Sequence, residues 1–325
     1  MKKIKELLLL SFFCLNMTIA QASELSAESL NDKLTQNDIE KTIDSLISVL
    51  KTHYLFADKA LLIENDLRYK LASNKFDKIH DGYSFIREIN LIMREVSGDM
   101  HLDIVETKPT VRLDKVTELD NSRRYGIEST NILSGNVGYF KLSYFYHNPN
   151  TQAAASLALK ELSKVDALII DLRSAEGDSI ALVQYLMSFF AKENTLLSEV
   201  FYDKQSQSKM LLSLENIGHD NFRDNFPVYI LTSSLLSGSA EFFSYTLKHL
   251  NKAVIVGEET MGVAYILQKQ KINAHFSLNM PIAIPIHPKT LSNWEGIGVI
   301  PDIPVAADLA LDAAHKKAKE HLHIF

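Results

Sequence analysis

The chain has 325 residues, 46% of them hydrophobic, which is enough to bury one large core or two modest ones. Its formal net charge is −6, and removal of residues 1–22, which carry three Lys and one Glu, leaves −8. This acidic balance argues against nucleic acid or an anionic membrane surface as the main partner.

Residues 1–22 have the composition of an export signal. Three lysines precede a short apolar run, and Ala20 and Ala22 supply small residues at a cleavage site. The run is about 14 residues long, too short to span a bilayer comfortably. We therefore predict cleavage near Ser23 and a periplasmic or secreted mature protein. The alternatives are a membrane anchor and a lipid-anchored start at Cys14, which bulky Phe13 disfavours.

The mature chain offers little for metal, thiol or membrane chemistry. Cys14 is the only cysteine and lies inside the signal, so no thiol nucleophile, disulfide or cysteine-ligated metal is expected. No later segment approaches 18 unbroken apolar residues, so we expect no membrane span after signal removal. We expect neither a metal nor a cofactor.

Residues 26–96 predict a small helical domain. The stretch contains no proline and only one glycine, Gly82, and its apolar residues recur at helical spacing. A turn between helices is predicted at 81–82, where a glycine follows a short polar residue. We place this domain at 23–105 and a connecting segment at 106–135.

From residue 137 the pattern changes to alternating strands and helices. Continuously apolar runs at 137–142, 167–172, 228–232 and 253–257 predict buried strands, and residues 153–162, 180–190 and 239–250 predict helices between them. Such strands indicate a sheet covered on both faces. The predicted class is therefore mixed α/β, with an N-terminal helical domain followed by a β/α domain at 136–325.

Two loops at the carboxyl ends of these strands have unusual compositions, and such loops carry the site in sheets of this kind. Residues 171–178 include Gly177 just before a helix, where backbone N–H groups could face a developing negative charge. An ordinary turn is the alternative. Residues 231–241 contain four serines at the start of a helix, a suitable place for a nucleophile. Helix capping by Ser, with Glu241 closing a capping box, is the alternative here.

A third candidate is the turn at 97–101, which follows the helical domain and contains Gly98, Asp99 and His101. A single histidine among 11 is usually structural or on the surface. Its position in a Gly-Asp turn at a domain junction makes a catalytic role for His101 worth weighing.

Together these elements resemble the tail-specific, or C-terminal processing, protease family. The resemblance covers residues 137–305 and the helical region ending at His101. It depends on the Val-Gly-Tyr at 137–139, the Asp-Leu-Arg at 171–173 with Gly177, the Ser-rich loop ending at Glu241, the Val-Gly-Glu-Glu-Thr-Met-Gly at 256–262 and the segment 295–305. The family's fold is of the ClpP/crotonase-like kind.

Within the family, the Gly-Asp-x-His turn and the absence of a recognisable PDZ insertion are similar to the interphotoreceptor retinoid-binding protein repeats and the tricorn core. The other branch uses a Ser–Lys dyad, and its lysine position is Val263 here. The resemblance therefore implies His101 as base, Glu295 as the residue that orients it, and the Gly177 N–H in the oxyanion hole.

The chain departs from the family at the nucleophile. The family's serine lies three residues before the helix glutamate, and counting back from Glu241 gives Gly238. Ser239 becomes the nucleophile if the loop is one residue longer, and we favour it over Ser237 because it opens the helix and precedes an alanine. The third possibility is that the nucleophile has been lost.

The sequence thus predicts an exported serine endopeptidase that hydrolyses polypeptides through an acyl-enzyme. The rival hypothesis is a catalytically silent module that binds a peptide or an apolar ligand in the same cleft. Gly238 favours the rival, whereas His101, Gly177 and Glu295 together favour the enzyme.

Overall fold

A computed structural model describes residues 33–107, 125–146, 148–202, 207–217, 222 and 225–324. The chain forms two compact units, one containing described residues 33–107 and 268–280, the other the described residues of 125–267 and 281–324. The predicted signal and most of the predicted connecting segment lie outside the described residues. In the described ranges, no helix is both long enough and apolar enough to cross a bilayer.

The first unit contains three helices, α1 (Gln36–His53), α2 (Ala57–Ala72) and α3 (Gly82–Ser97), followed by strand β1 (Asp103–Glu106). Helix α1 begins with a capping box, in which the Thr35 side chain accepts from the Asp38 N–H and the Asp38 carboxylate accepts from the Thr35 N–H. Asp81 caps α3 by a single bond, its carboxylate accepting the Ser84 N–H at 2.9 Å, so the predicted turn at 81–82 is the start of this helix. Strand β1 pairs antiparallel with residues 276–279.

The second unit contains most of the strands. In chain order its elements are β2 (Ile127–Leu133), β3 (Val137–Leu142), α4 (Pro149–Glu161), β4 (Ala167–Asp171), α5 (Ile180–Met187), β5 (Leu196–Tyr202), β6 (Gln207–Leu212), β7 (Val228–Thr232), α6 (Ser239–His249), β8 (Val254–Gly257), β9 (Ile266–Lys271), β10 (Phe276–Ile286), β11 (Ile303–Pro304) and α7 (Ala310–His321). The latter part of β9 and the first part of β10 belong to the first unit.

A sheet of six described strands organises the second unit, in the order β11-β8-β7-β4-β3-β2. All neighbours in it are parallel except β2, which runs antiparallel to β3. Every residue of β4 and β7 is buried, as expected for strands covered on both faces. Helices α4, α5 and α6 pack on one face of the sheet. Helix α7 packs on the other through Ala310, Ala314 and Ala318.

The mixed α/β class with N-terminal helices is confirmed, and strands β3 and β7 have the limits that the sequence predicts. Helix α4 begins earlier than predicted, at Pro149, because Asn148 caps it and proline suits the first helical turn. The limits of the domains stay predictions.

A buried histidine in the second unit, His287, makes stability depend on pH. His287 is 2% exposed, and its ring lies 5.7 Å from that of His249. Burial, with smaller contributions from His249 and Lys289, lowers the pKa of His287 from 6.5 to about 4. Protonating this ring therefore opposes folding.

We expect the free energy of unfolding to fall as the solution is acidified through this window. Between pH 6.5 and about 4 the unfolded chain binds a proton at His287 that the folded chain excludes. The loss should total about 1–3 kcal/mol and be absent above pH 7. Urea unfolding at pH 7.5 and pH 5 measures it. His287→Phe should show a smaller difference between the two pH values, and an equal difference in the two proteins would contradict the assignment.

Candidate active site

Two loops that stand out in the sequence meet at one edge of the six-stranded sheet. Strands β4 and β7 are parallel neighbours, so the loops that leave their carboxyl ends lie side by side. The Ser233 hydroxyl donates to the Arg173 carbonyl at 2.6 Å, and the Ser179 N–H donates to Ser239 Oγ at 2.8 Å. The edge is therefore assembled by direct hydrogen bonds between the loops.

The Asp-Leu-Arg motif anchors the first loop. The Asp171 carboxylate is fully buried and accepts two bonds from the Arg173 guanidinium, at 2.9 and 2.6 Å, and one from the Tyr139 hydroxyl at 2.6 Å. Arg173 also donates to the Ala307 carbonyl at 2.6 Å. These partners hold the pKa of Asp171 below its usual value although burial acts in the opposite direction. The motif is therefore structural and fixes where the loop leaves the sheet.

Gly177 occupies a position that other residues would not fit. Its φ is +91°, and a Cβ added there would lie 2.7 Å from the Tyr144 ring and 2.9 Å from the Phe145 carbonyl oxygen. Both the left-handed backbone and the close packing require glycine. The sequence-based choice of Gly177 thus falls on a constrained turn at the sheet edge, and its role in an oxyanion hole stays a prediction.

Gly238 precedes the second loop's helix in a conformation that favours glycine. Its φ is +61° and its ψ −125°, which L side chains rarely adopt, and its N–H donates to Glu241 at 3.1 Å. Because the residue before α6 is glycine, no serine side chain caps this helix. Sharp strand-to-helix turns of this kind expose a side chain at the top of a sheet. Here the position has no side chain to expose.

The Asp178 carboxylate fills the space above Gly238. A Cβ added to Gly238 would lie 2.5 Å from Asp178 Oδ1 and 3.8 Å from the Gly177 carbonyl oxygen. The Ser239 N–H interacts with the same carboxylate. The Asp178 residue is exposed to solvent, although desolvation by neighbouring atoms raises the pKa of its carboxyl group. Sequence reasoning chose the loop at 171–178 but singled out only Gly177, because local sequence does not show which side chain of the loop lies beside position 238.

The two candidate serine nucleophiles have different surroundings. Ser239 is 6% exposed, and its Oγ is an acceptor for the Ser179 N–H at the start of α5. Ser237 is half-buried. The structure brings both serines to the edge that carries Gly177, and neither assignment as nucleophile is tested by this arrangement.

Glu241 holds the loops around this edge together. Its carboxylate is fully buried and accepts from the N–H groups of Gly238, Gly262 and Val263 and from the Thr260 hydroxyl, at 3.1, 2.7, 2.9 and 2.5 Å. Burial nevertheless raises its pKa. The Thr260 hydroxyl in turn accepts the Val299 N–H at 2.8 Å. The sequence offered Glu241 as part of a capping box and as the helix glutamate of the family motif, but its bonds to the loop at 260–263 were not predicted.

Glu295 and His101 belong to different units. In the second unit, half-buried Glu295 accepts the Ala264 N–H at 2.8 Å. In the first unit, His101 lies in the turn after α3, and its backbone N–H donates to the carboxylate of buried Asp99 at 2.8 Å. Asp99 also accepts the Tyr54 hydroxyl at 2.6 Å. Their predicted roles as base and orienting group stay predictions.

Residues 136–305, half of the chain, match Peptidase family S41. This confirms the resemblance to tail-specific proteases. Three solved structures share the fold. A lipoprotein from Streptococcus agalactiae is 16% identical, with 87% of this chain and 96% of that chain covered and a TM-score of 0.61. A protein from Parabacteroides merdae that is assigned as a peptidase is 16% identical, with 86% and 96% covered and a TM-score of 0.59.

The third structure, from Bacteroides fragilis and assigned as an S41 protease, is 21% identical, with 62% of this chain and 58% of that chain covered and a TM-score of 0.52. The chain covers 49% of the photosystem II D1 C-terminal processing protease. It therefore spans only about half the length of some of its relatives.

Proposed function

We propose, from the premise that this chain belongs to Peptidase family S41, that it binds polypeptide segments at this sheet edge without serine-type hydrolysis. Family membership supports a peptidase function and polypeptides as the class of ligand. The observation that carries the proposal beyond the family is Gly238. It stands where the family's nucleophile is expected, and the Asp178 carboxylate fills the volume of the missing side chain.

The charge of Asp178 supports binding over hydrolysis. Acyl transfer develops a negative oxygen, which an active site stabilises with hydrogen-bond donors. A carboxylate beside Gly177 and Gly238 would repel that oxygen, by about 1 kcal/mol for two unit charges 4 Å apart in water and about 4 kcal/mol at an effective dielectric constant near 20. The site therefore has unfavourable electrostatics for the chemistry of a serine peptidase.

Exposed apolar side chains near the edge support a polypeptide ligand. Leu235 and Met261 are 81% and 56% exposed, and their loops are joined by a hydrogen bond of 3.0 Å from the Met261 N–H to the Leu236 carbonyl. Large apolar side chains left in solvent on adjoining loops are typical of surfaces that bind other chains.

A second candidate function is the serine endopeptidase, and one observation favours it. Ser239 Oγ accepts a bond from the loop that contains Gly177, so a nucleophile there would have its oxyanion donor nearby. In that mechanism Ser239, or Ser237 in its place, attacks the peptide carbonyl and the Gly177 N–H stabilises the oxyanion, while the family resemblance implies His101 as base and Glu295 as its orienting group.

Covalent labelling together with peptide binding distinguishes the two functions. We propose that the chain is exported, so the test uses the mature protein, whose first residue should lie near Ser23. Wild type should bind an unfolded polypeptide in a fluorescence anisotropy titration, release no fragments, and remain unlabelled by a fluorophosphonate. Ser239→Ala and Ser237→Ala should behave like wild type in the cleavage and labelling assays. Labelling of Ser239 located by mass spectrometry, together with cleavage that Ser239→Ala abolishes, would establish the peptidase instead.

A further inference from the structure

The Asp178 carboxylate lies where a ligand of this site would meet the protein. Its Oδ1 occupies the volume above Gly238, and the Gly177 carbonyl oxygen lies on the same side. The carboxylate is accessible to solvent, so a bound group can reach it.

This carboxylate has no cationic partner of its own among the described residues of the second unit. The interactions that affect its pKa there are burial and the Ser239 N–H, and no cationic side chain contributes. The guanidinium of Arg173, five residues earlier, is already engaged by Asp171 and the Ala307 carbonyl. An exposed carboxylate with one N–H donor retains capacity to accept further hydrogen bonds.

We propose that the site selects polypeptide ligands that present a primary ammonium group, which pairs with the Asp178 carboxylate above Gly238. This inference rests on the proposed function and names the chemistry that the site recognises. The negative charge that opposes an oxyanion is of the right sign for a cation, and charge-assisted hydrogen bonds from an ammonium group are stronger than neutral ones. A lysine side chain and a free N-terminus both present this group.

The test compares nonapeptides of one apolar sequence, each labelled at its C-terminus, by fluorescence anisotropy with wild-type protein. The first has a free N-terminus and no lysine, the second is N-acetylated with one lysine, and the third is N-acetylated with norleucine in place of lysine. We expect the first or second to bind about tenfold more tightly than the third, and their order identifies which source of the ammonium group is preferred.

Variants assign the preference to one carboxylate. Asp178→Asn should remove the preference, whereas Glu176→Gln, which changes an exposed carboxylate two residues earlier, should keep it. Equal binding of all three peptides by wild type, or a preference that survives in Asp178→Asn, would overturn the inference and leave polypeptide binding intact. Failure of wild type to bind any peptide would overturn both the inference and the proposed function. The wild-type comparison stands even if Asp178→Asn does not fold.

Discussion

A serine placed at position 238, together with removal of the Asp178 carboxylate, is expected to create a hydroxyl that reacts with a fluorophosphonate. The positive φ of Gly238 would aim the new side chain at the sheet edge, where the Gly177 loop lies. Asp178→Ala removes the Oδ1 atom that would lie 2.5 Å from the new Cβ. It also removes the carboxylate's repulsion of a developing oxyanion. Gly238→Ser/Asp178→Ala should therefore label at least about 100-fold faster than wild type.

The single variants show whether the two positions act together. Gly238→Ser alone should label at least about tenfold more slowly than the double variant, because the charge of Asp178 stays beside the reacting oxygen. The matched control, Gly238→Ala/Asp178→Ala, has no hydroxyl and should not react at this position. A double variant that has the circular dichroism spectrum of wild type but stays unlabelled would show that position 238 is not a vacated nucleophile position.

The second large effect concerns stability. Glu241→Gln should lower the free energy of unfolding by about 2–5 kcal/mol. The amide nitrogen of Gln cannot accept the two hydrogen bonds that the carboxylate oxygen in its place accepts, so two buried donors lose their partner. Each carboxylate oxygen accepts two bonds, from Thr260 and Gly262 or from Gly238 and Val263. Urea unfolding at neutral pH measures the change in midpoint.

Glu259→Gln is the matched control for this prediction. Glu259 is an exposed glutamate in the loop after β8, and its replacement should change stability by no more than about 0.5 kcal/mol. If Glu241→Gln and Glu259→Gln unfold at the same urea concentration, the buried carboxylate does not hold the loops together in solution.

The buried parallel strands could be predicted from sequence because each is an unbroken apolar run between turn residues. Strand β10 could not, since Pro281 and Pro285 lie inside it and proline is usually restricted to strand edges and ends. Helix α7 was also missed. Its contact with the sheet is a row of three alanines spaced four residues apart, which carries little hydrophobic signal within a polar segment.

Part of the candidate site could likewise be predicted from the sequence and part could not. Counting along the chain was enough to place Gly238 at the nucleophile position, because that register depends only on local spacing from Glu241. The position of Asp178 was not predictable, since it depends on the pairing of β4 with β7, which brings two distant loops together. The four donors around Glu241 likewise come from two segments, at 238 and 260–263, that local spacing does not relate.

The alanine row of α7 affects how recombinant pieces of this protein behave. The family match ends at residue 305, whereas α7 begins at Ala310 and covers Ile169, Leu231 and Val256 on the sheet. A fragment cut to residues 136–305 would also lose β2, which pairs along the edge of β3. It would present an apolar sheet face and an open strand edge to solvent, the combination that leads to precipitation. Soluble fragments of the second unit therefore need to include residues 127–321.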